Sequence, residues 1–72
     1  MKSLDLHGVT HSDAAELVDS FIGRYFHKLP VEIITGNSAD MQKIVRKVIS
    51  SYELKIEPTN YMNLGSYIIA HK

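Results

Sequence analysis

The strongest constraint on this chain is the way two apolar periods alternate along it. Residues 3–7 and 53–58 alternate polar and apolar side chains, residues 31–35 form a β-branched run, and residues 66–71 read as another strand. Between them, residues 11–27 and 39–52 carry the 3.6-residue period of amphipathic helices. The order is β-α-β-α-β-β. A strand, a helix and a strand within some 30 residues implies a parallel βαβ unit with a right-handed crossover. The expected fold class is α/β: a two-layer sandwich with two helices on one face of a four-stranded mixed sheet. The pattern does not specify the strand order.

Local signals support these elements. In the first helix Ala14, Leu17, Val18, Phe21 and Tyr25 form one stripe, and Gly23 falls opposite it. Thr10 is placed to cap this helix, with Asp13 three residues on as a short capping box. Pro30 ends it. In the second helix Met41, Ile44, Val45, Val48, Ile49 and Tyr52 share a face, and Asn37 or Ser38 can cap its start. Residues 60–65 are rich in turn formers and predict a hairpin with a longer loop.

No linker, repeat or low-complexity stretch divides the 72 residues, so residues 1–72 are expected to form one domain. A chain this short buries only about 60% of the surface its unfolded form exposes. It contains no cysteine, which removes disulfides and thiolate metal sites as staples. No apolar run is long enough to span a bilayer, and the first residues do not read as a signal peptide. The expected location is the cytoplasm, with no membrane partner. Eight Lys and Arg balance eight Asp and Glu, which excludes a strongly basic nucleic-acid binder on totals. The distribution is uneven, however. Residues 1–42 carry three bases and six acids, and residues 43–72 carry five bases and two acids.

Chemistry is expected in the loops at the carboxyl ends of the parallel strands. One loop is Leu6-His7-Gly8-Val9-Thr10 and the other is Thr35-Gly36-Asn37-Ser38. Each holds a Gly and feeds a helix N-terminus, where backbone N–H groups favour a phosphate. Asp5 and His7 stand at i and i+2 on a strand, so both leave the same face. A carboxylate beside an imidazole suits general acid–base work, although a solvated Asp and His on a strand need no function. Lys43, Arg46 and Lys47 line the polar side of the second helix and could contact phosphates or simply be solvated. His11 could join His7. Tyr61 and Tyr67 could stack bases, or Tyr67 could belong to the core. There is no H-x-x-x-H or H-E-x-x-H pair, and nothing demands a metal, although Asp5 could carry a divalent one.

Leu4-Asp5-Leu6-His7-Gly8, the helix that follows, the strand ending Ile33-Ile34-Thr35-Gly36 and the β-α-β-α-β-β order together resemble the Smr (small MutS-related) domain. The resemblance covers nearly the whole chain. It implies a nucleic-acid-binding domain, and several members of the family nick DNA or cleave RNA, some on messenger RNA at stalled ribosomes. The family's D-x-H pair falls on Asp5 and His7, and its glycine-loop motif falls on Thr35 and Gly36. That motif is usually H-G-x-G or T-G-x-G; here Ser38 replaces its second Gly. Gln42 follows Met41 where members often carry Leu-Arg, and the glycine-rich stretch before the last strand is reduced to Leu64-Gly65.

Two functions follow from this resemblance. In the first the chain is a small endonuclease. His7 takes a proton, Asp5 orients its imidazole, the Gly8 loop and the Gly36, Asn37 and Ser38 amides hold the phosphate, and Lys43, Arg46 or Lys47 steadies the backbone. In the second it is a non-catalytic module that binds RNA, DNA or a ribosomal surface through the same edge. A protein-interaction domain is a third reading.

Overall fold

The computed structural model describes residues 1–60 and 62–72. The chain folds as strand β1 (Ser3–Asp5), helix α1 (His11–Tyr25), a 3-10 turn (Phe26–Lys28), strand β2 (Val31–Ile34), helix α2 (Ala39–Ser51), and strands β3 (Lys55–Asn60) and β4 (Asn63–Ala70). The four strands form one mixed sheet in the order β1-β2-β4-β3. β1 and β2 are parallel, while β4 runs antiparallel to both of its neighbours. This is the expected two-layer arrangement. α2 is the crossover that carries the chain past the place β4 later fills.

One face of the sheet is buried and the other is open. Leu6, Val31, Ile33, Tyr67 and Ile69 point into the core, where Ala14, Val18 and Ile22 of α1 and Met41, Val45 and Ile49 of α2 meet them. Ile34 and Ile68, which alternate with these, stay half-exposed beside Glu32 and Ser66. The β-branched run of β2 is therefore buried on one side and half-covered on the other, because helices pack against a single face.

Four local expectations need correction. The buried stripe of α1 runs Ala14, Val18, Ile22, and Leu17 is 41% exposed. α2 covers the Ile22 side of α1, while Leu17 faces the edge strand β1, which is too short to bury it. Helix α1 stops at Tyr25 and tightens into the 3-10 turn rather than continuing to residue 27. The Thr10 hydroxyl does not cap α1; it sits 3.2 Å from the Ser12 hydroxyl, and the Thr10 carbonyl receives the Asp13 and Ala14 amides instead. Residues 60–65 are not a long loop. Asn60 pairs with Asn63, so the strands extend almost to the turn, with a register shift between Pro58 and Asn60.

The ends of α2 are well defined. The Ser38 hydroxyl accepts the Met41 amide at 3.1 Å, as an N-cap should. At the other end Tyr52 N–H bonds the Ile49 carbonyl, and Glu53 follows with φ +57°. That conformation after a helix favours glycine, because a Cβ strains it. Glu53→Gly is expected to raise stability by about 0.5–1 kcal/mol in urea denaturation, the left-handed penalty less the extra freedom Gly gives the unfolded chain. An unchanged or lower midpoint would show that the Glu53 side chain itself contributes.

Tyr52 also ties the two helices together. Its hydroxyl donates to Asp19 Oδ1 at 2.6 Å, with the Asp19 carbonyl 3.2 Å away. That hydrogen bond, then partial burial, then the Asp19 charge raise the Tyr52 pKa above its ordinary value of 10.0. The folded state thus holds the phenolic proton more tightly than the unfolded chain. The resulting stability is fully present below the unfolded pKa and is lost as pH rises through the folded one. Tyr52→Phe is expected to cost about 1 kcal/mol at neutral pH, in keeping with one exposed hydrogen bond. The difference from wild type should shrink at strongly alkaline pH, which thermal melts across that range would read. A gap that stays constant with pH would sink the assignment.

Candidate functional site

Because β1 and β2 are parallel, the loops that follow them emerge on the same edge of the sheet. The first loop is fixed to the second strand by the Leu6 amide, which donates to the Ile34 carbonyl at 2.9 Å. Leu6 plugs the core, and the chain then turns outward through Gly8 at φ +78°, with the Val9 amide closing the turn onto the Leu6 carbonyl at 3.0 Å. His7 is exposed at the tip.

β1 ends at Asp5, so His7 stands in the turn beyond the strand and not, as the spacing predicts, on the same strand face as Asp5. Their contact is not the one expected. Asp5 Oδ1 accepts the His7 backbone N–H at 2.9 Å, so the carboxylate braces the turn rather than the imidazole. An i, i+2 bond of this kind is the local alternative open to any Asp that precedes a turn.

The second loop is held from behind. The Thr35 and Gly36 amides both donate to the Gly65 carbonyl, at 2.8 and 3.0 Å. The Thr35 hydroxyl, on a residue only 7% exposed, donates to the Gly36 carbonyl at 2.9 Å and lies 3.2 Å from that of Gly65. Gln42 reaches back from α2, its Nε2 donating to the Gly36 carbonyl at 3.2 Å. Gly36 itself takes φ +67°. The motif assigns Thr35 and Gly36 to a phosphate, but their polar hydrogens are turned inward and shape the loop. The outer surface of this loop is Asn37, with Ser38 half-buried as the cap.

Sequence reasoning misses Gly65 and Gln42 as the supports of this loop. A lone Gly at the start of a strand is the available signal, since it marks close backbone approach. The three bases of α2 do not act as one row. The Arg46 guanidinium lies over the Tyr67 ring, 5.1 Å from its centroid. Lys47 lines the groove between the helices, with Glu16 and Asp19 of α1. Lys43, one turn into α2 and exposed, is the base left on the outward face near the loops.

Other candidates separate from this edge. Tyr67 is buried in the core and presents no free face for a base. Tyr61 lies outside the described residues. His71 is bonded to the Phe26 carbonyl at 3.2 Å and packs on the Phe26 ring at the opposite edge of the sheet. His11 opens α1 and is exposed, on the same edge as His7. Among the described residues no cluster of three His, Asp or Glu is placed to hold a metal ion, and no helix is long and apolar enough to cross a membrane.

The chain matches no protein-family model, no curated protein and no solved structure.

The edge offers two turned backbones side by side, two helix N-termini behind them, an exposed imidazole and the Lys43 ammonium on the helix that follows. A helix N-terminus presents amides that have no partner within the helix, and they favour a negative charge. Asp40, in the first turn of α2, takes up part of that positive end itself.

Proposed function

We propose that the chain is an Smr-type domain that binds nucleic acid along the edge formed by the Gly8 and Gly36 loops. One observation carries this reading: both loops, each with a Gly at positive φ, stand side by side and open directly into α1 and α2. A phosphate backbone laid along that edge meets the start of each helix in turn, with Lys43 beside it. Such contacts position a strand without reading its sequence. Single-stranded RNA, DNA and a ribosomal RNA surface all offer such a phosphate backbone.

A second reading, cleavage, is favoured by the exposure of His7 at the tip of the first loop. On RNA the His7 imidazole would take the proton of a 2′-hydroxyl. The 2′ oxygen would then bond to the adjacent phosphorus as the P–O5′ bond breaks, and the leaving oxygen would take a proton from water. This leaves a 2′,3′-cyclic phosphate and a 5′-hydroxyl. Acid–base help of this kind supplies about 10²–10⁴ in rate. Asp5 would act here through the turn it braces, by fixing where His7 stands. Asp5 is also the carboxylate at this edge that a divalent ion would meet.

The test is one titration and one incubation on labelled single-stranded RNA and DNA. Wild type should bind in a salt-sensitive way, and Lys43→Ala should weaken binding and flatten the salt slope by roughly one. No shift with either nucleic acid would overturn the binding reading. If wild type cuts, with magnesium or with EDTA, His7→Ala should stop the cutting and leave binding intact. Binding with no product under any condition would leave a module without catalysis.

A further inference from the structure

The two edges of the sheet differ. β3, on one side, carries Pro58, which has no N–H, and its register shifts between Pro58 and Asn60. Both features discourage a further strand. β1, on the other side, has neither. The Lys2 carbonyl accepts the Glu32 amide and the Leu6 amide donates to the Ile34 carbonyl, each at 2.9 Å, so Lys2, Leu4 and Leu6 turn their backbone groups toward β2. Backbone direction alternates along a strand. The N–H and C=O of Ser3 and Asp5 therefore point outward, where β1 has no neighbour. On the helix side of this edge runs a groove lined by Leu4, Leu17, Ser20, Phe21 and Arg24. Leu17 is exposed in it, and Leu4 and Phe21 are half-buried.

We infer that β1 pairs with β1 of a second copy of this chain, antiparallel about a two-fold axis at Leu4, so that the two sheets become one. The register follows from the outward groups. With Leu4 opposite Leu4, Ser3 of each copy faces Asp5 of the other, and each such pair exchanges both its N–H···O=C bonds. A register shifted toward the loop sets Asp5 against Asp5, two like charges. A register shifted the other way sets Asp5 against Met1, outside the strand. The pairing is self-complementary, as a two-fold requires.

The helix layer accommodates the same axis. The axis stands normal to the sheet, so the two α1 helices lie side by side and antiparallel on one face. Strands lie about 4.8 Å apart and packed helices about 8–10 Å, so one helix covers two strands. Two helices over four strands therefore continue at the same spacing across the joined sheet. Leu4, Leu17 and Phe21 of both copies line the seam. Charge favours a second copy as the occupant. Asp13, Leu17, Ser20 and Arg24 recur at i, i+4, i+7 and i+11, one stripe along the outer side of α1. Asp13 lies in the first turn and Arg24 in the last, and neither forms an ion pair among the described residues. Antiparallel contact brings the acidic start of each α1 toward the basic end of the other. The Gly8 and Gly36 loops lie beyond the paired strand, so this pairing stands apart from the function proposed above.

Cysteine cross-linking and sedimentation equilibrium test it. The chain has no cysteine of its own. In Leu4→Cys the two thiols face each other across the axis. The Cα separation of such a non-hydrogen-bonded pair, about 4.5 Å, is within disulfide reach. Leu4→Cys should give a linked dimer on mild oxidation, whereas Lys55→Cys, on the opposite edge of the sheet, should not. Wild type should show a dimer mass at about 500 µM, as a short ladder predicts. Ser3→Pro removes one outward N–H and no bond to β2. It should weaken association at least tenfold and keep the circular dichroism spectrum of the folded domain. Wild type that remains a monomer up to about 1 mM overturns the proposal. So does a dimer that Ser3→Pro leaves intact, or a Leu4→Cys variant that links no faster than Lys55→Cys.

Discussion

Ile22→Ala is expected to remove about 3 kcal/mol of stability, within the range measured for Ile→Ala in closed cores. Ile22 is fully buried, between the core of the sheet and the α2 side of α1. The cost combines the lost transfer free energy of the deleted carbons with the cavity they leave. A domain of 72 residues has roughly 4–10 kcal/mol in total. The melting temperature should therefore fall by about 12–25 °C. Leu17→Ala, on the neighbouring stripe of the same helix, should cost well under half as much. Equal losses at the two positions would mean that the helix faces the sheet at a different angle.

Tyr67→Ala should be more damaging still, at about 3–5 kcal/mol, and is expected to leave the domain largely unfolded at 37 °C. Tyr67 sits on β4 with Ile33 on one side and Pro58 on the other, at the centre of the sheet. Its ring is 2% exposed, and the Arg46 guanidinium closes the remaining side. Truncation removes the largest side chain of the core and leaves Arg46 without its aromatic partner. Tyr67→Phe keeps the ring and both packing surfaces, so it should retain most of the stability. Circular dichroism melts of both variants distinguish packing from hydroxyl chemistry. A Tyr67→Ala variant as stable as wild type would refute the role of β4 as the centre of the core.

The elements and their layers can be read from the sequence because the two helices carry long 3.6-residue stripes and the segments between them do not. The stripe Met41, Val45, Ile49 needs no partner to be recognised, and Ser38 caps it through local geometry alone. Ile22 escapes such a reading because two adjacent apolar faces exist on α1, and only the position of α2 decides between them. The hairpin differs from its expected form for a similar reason. Asn60, Asn63 and Gly65 favour turns in isolation, yet pairing between β3 and β4 carries the strands through them. At the loop edge, the meeting of Asp5, His7, Gly8 and Gly36 is legible from the parallel βαβ rule. The hydrogen bonds are not. Whether the Asp5 carboxylate takes an imidazole or a backbone amide is settled within a single turn, and the inward aim of Thr35 depends on Gly65, thirty residues away.

The strand order carries one more consequence. β4 is synthesised after the other three strands, yet it lies between β2 and β3 and links them within the sheet. Until it emerges from a ribosome, the earlier chain can form two helices and one short parallel pair, with the second edge of β2 unpaired and β3 without a neighbour. Completion of this fold therefore waits for the last of its four strands. A nascent chain stopped before residue 63 should be held by chaperones or degraded, whereas one extended past residue 70 should resist proteases.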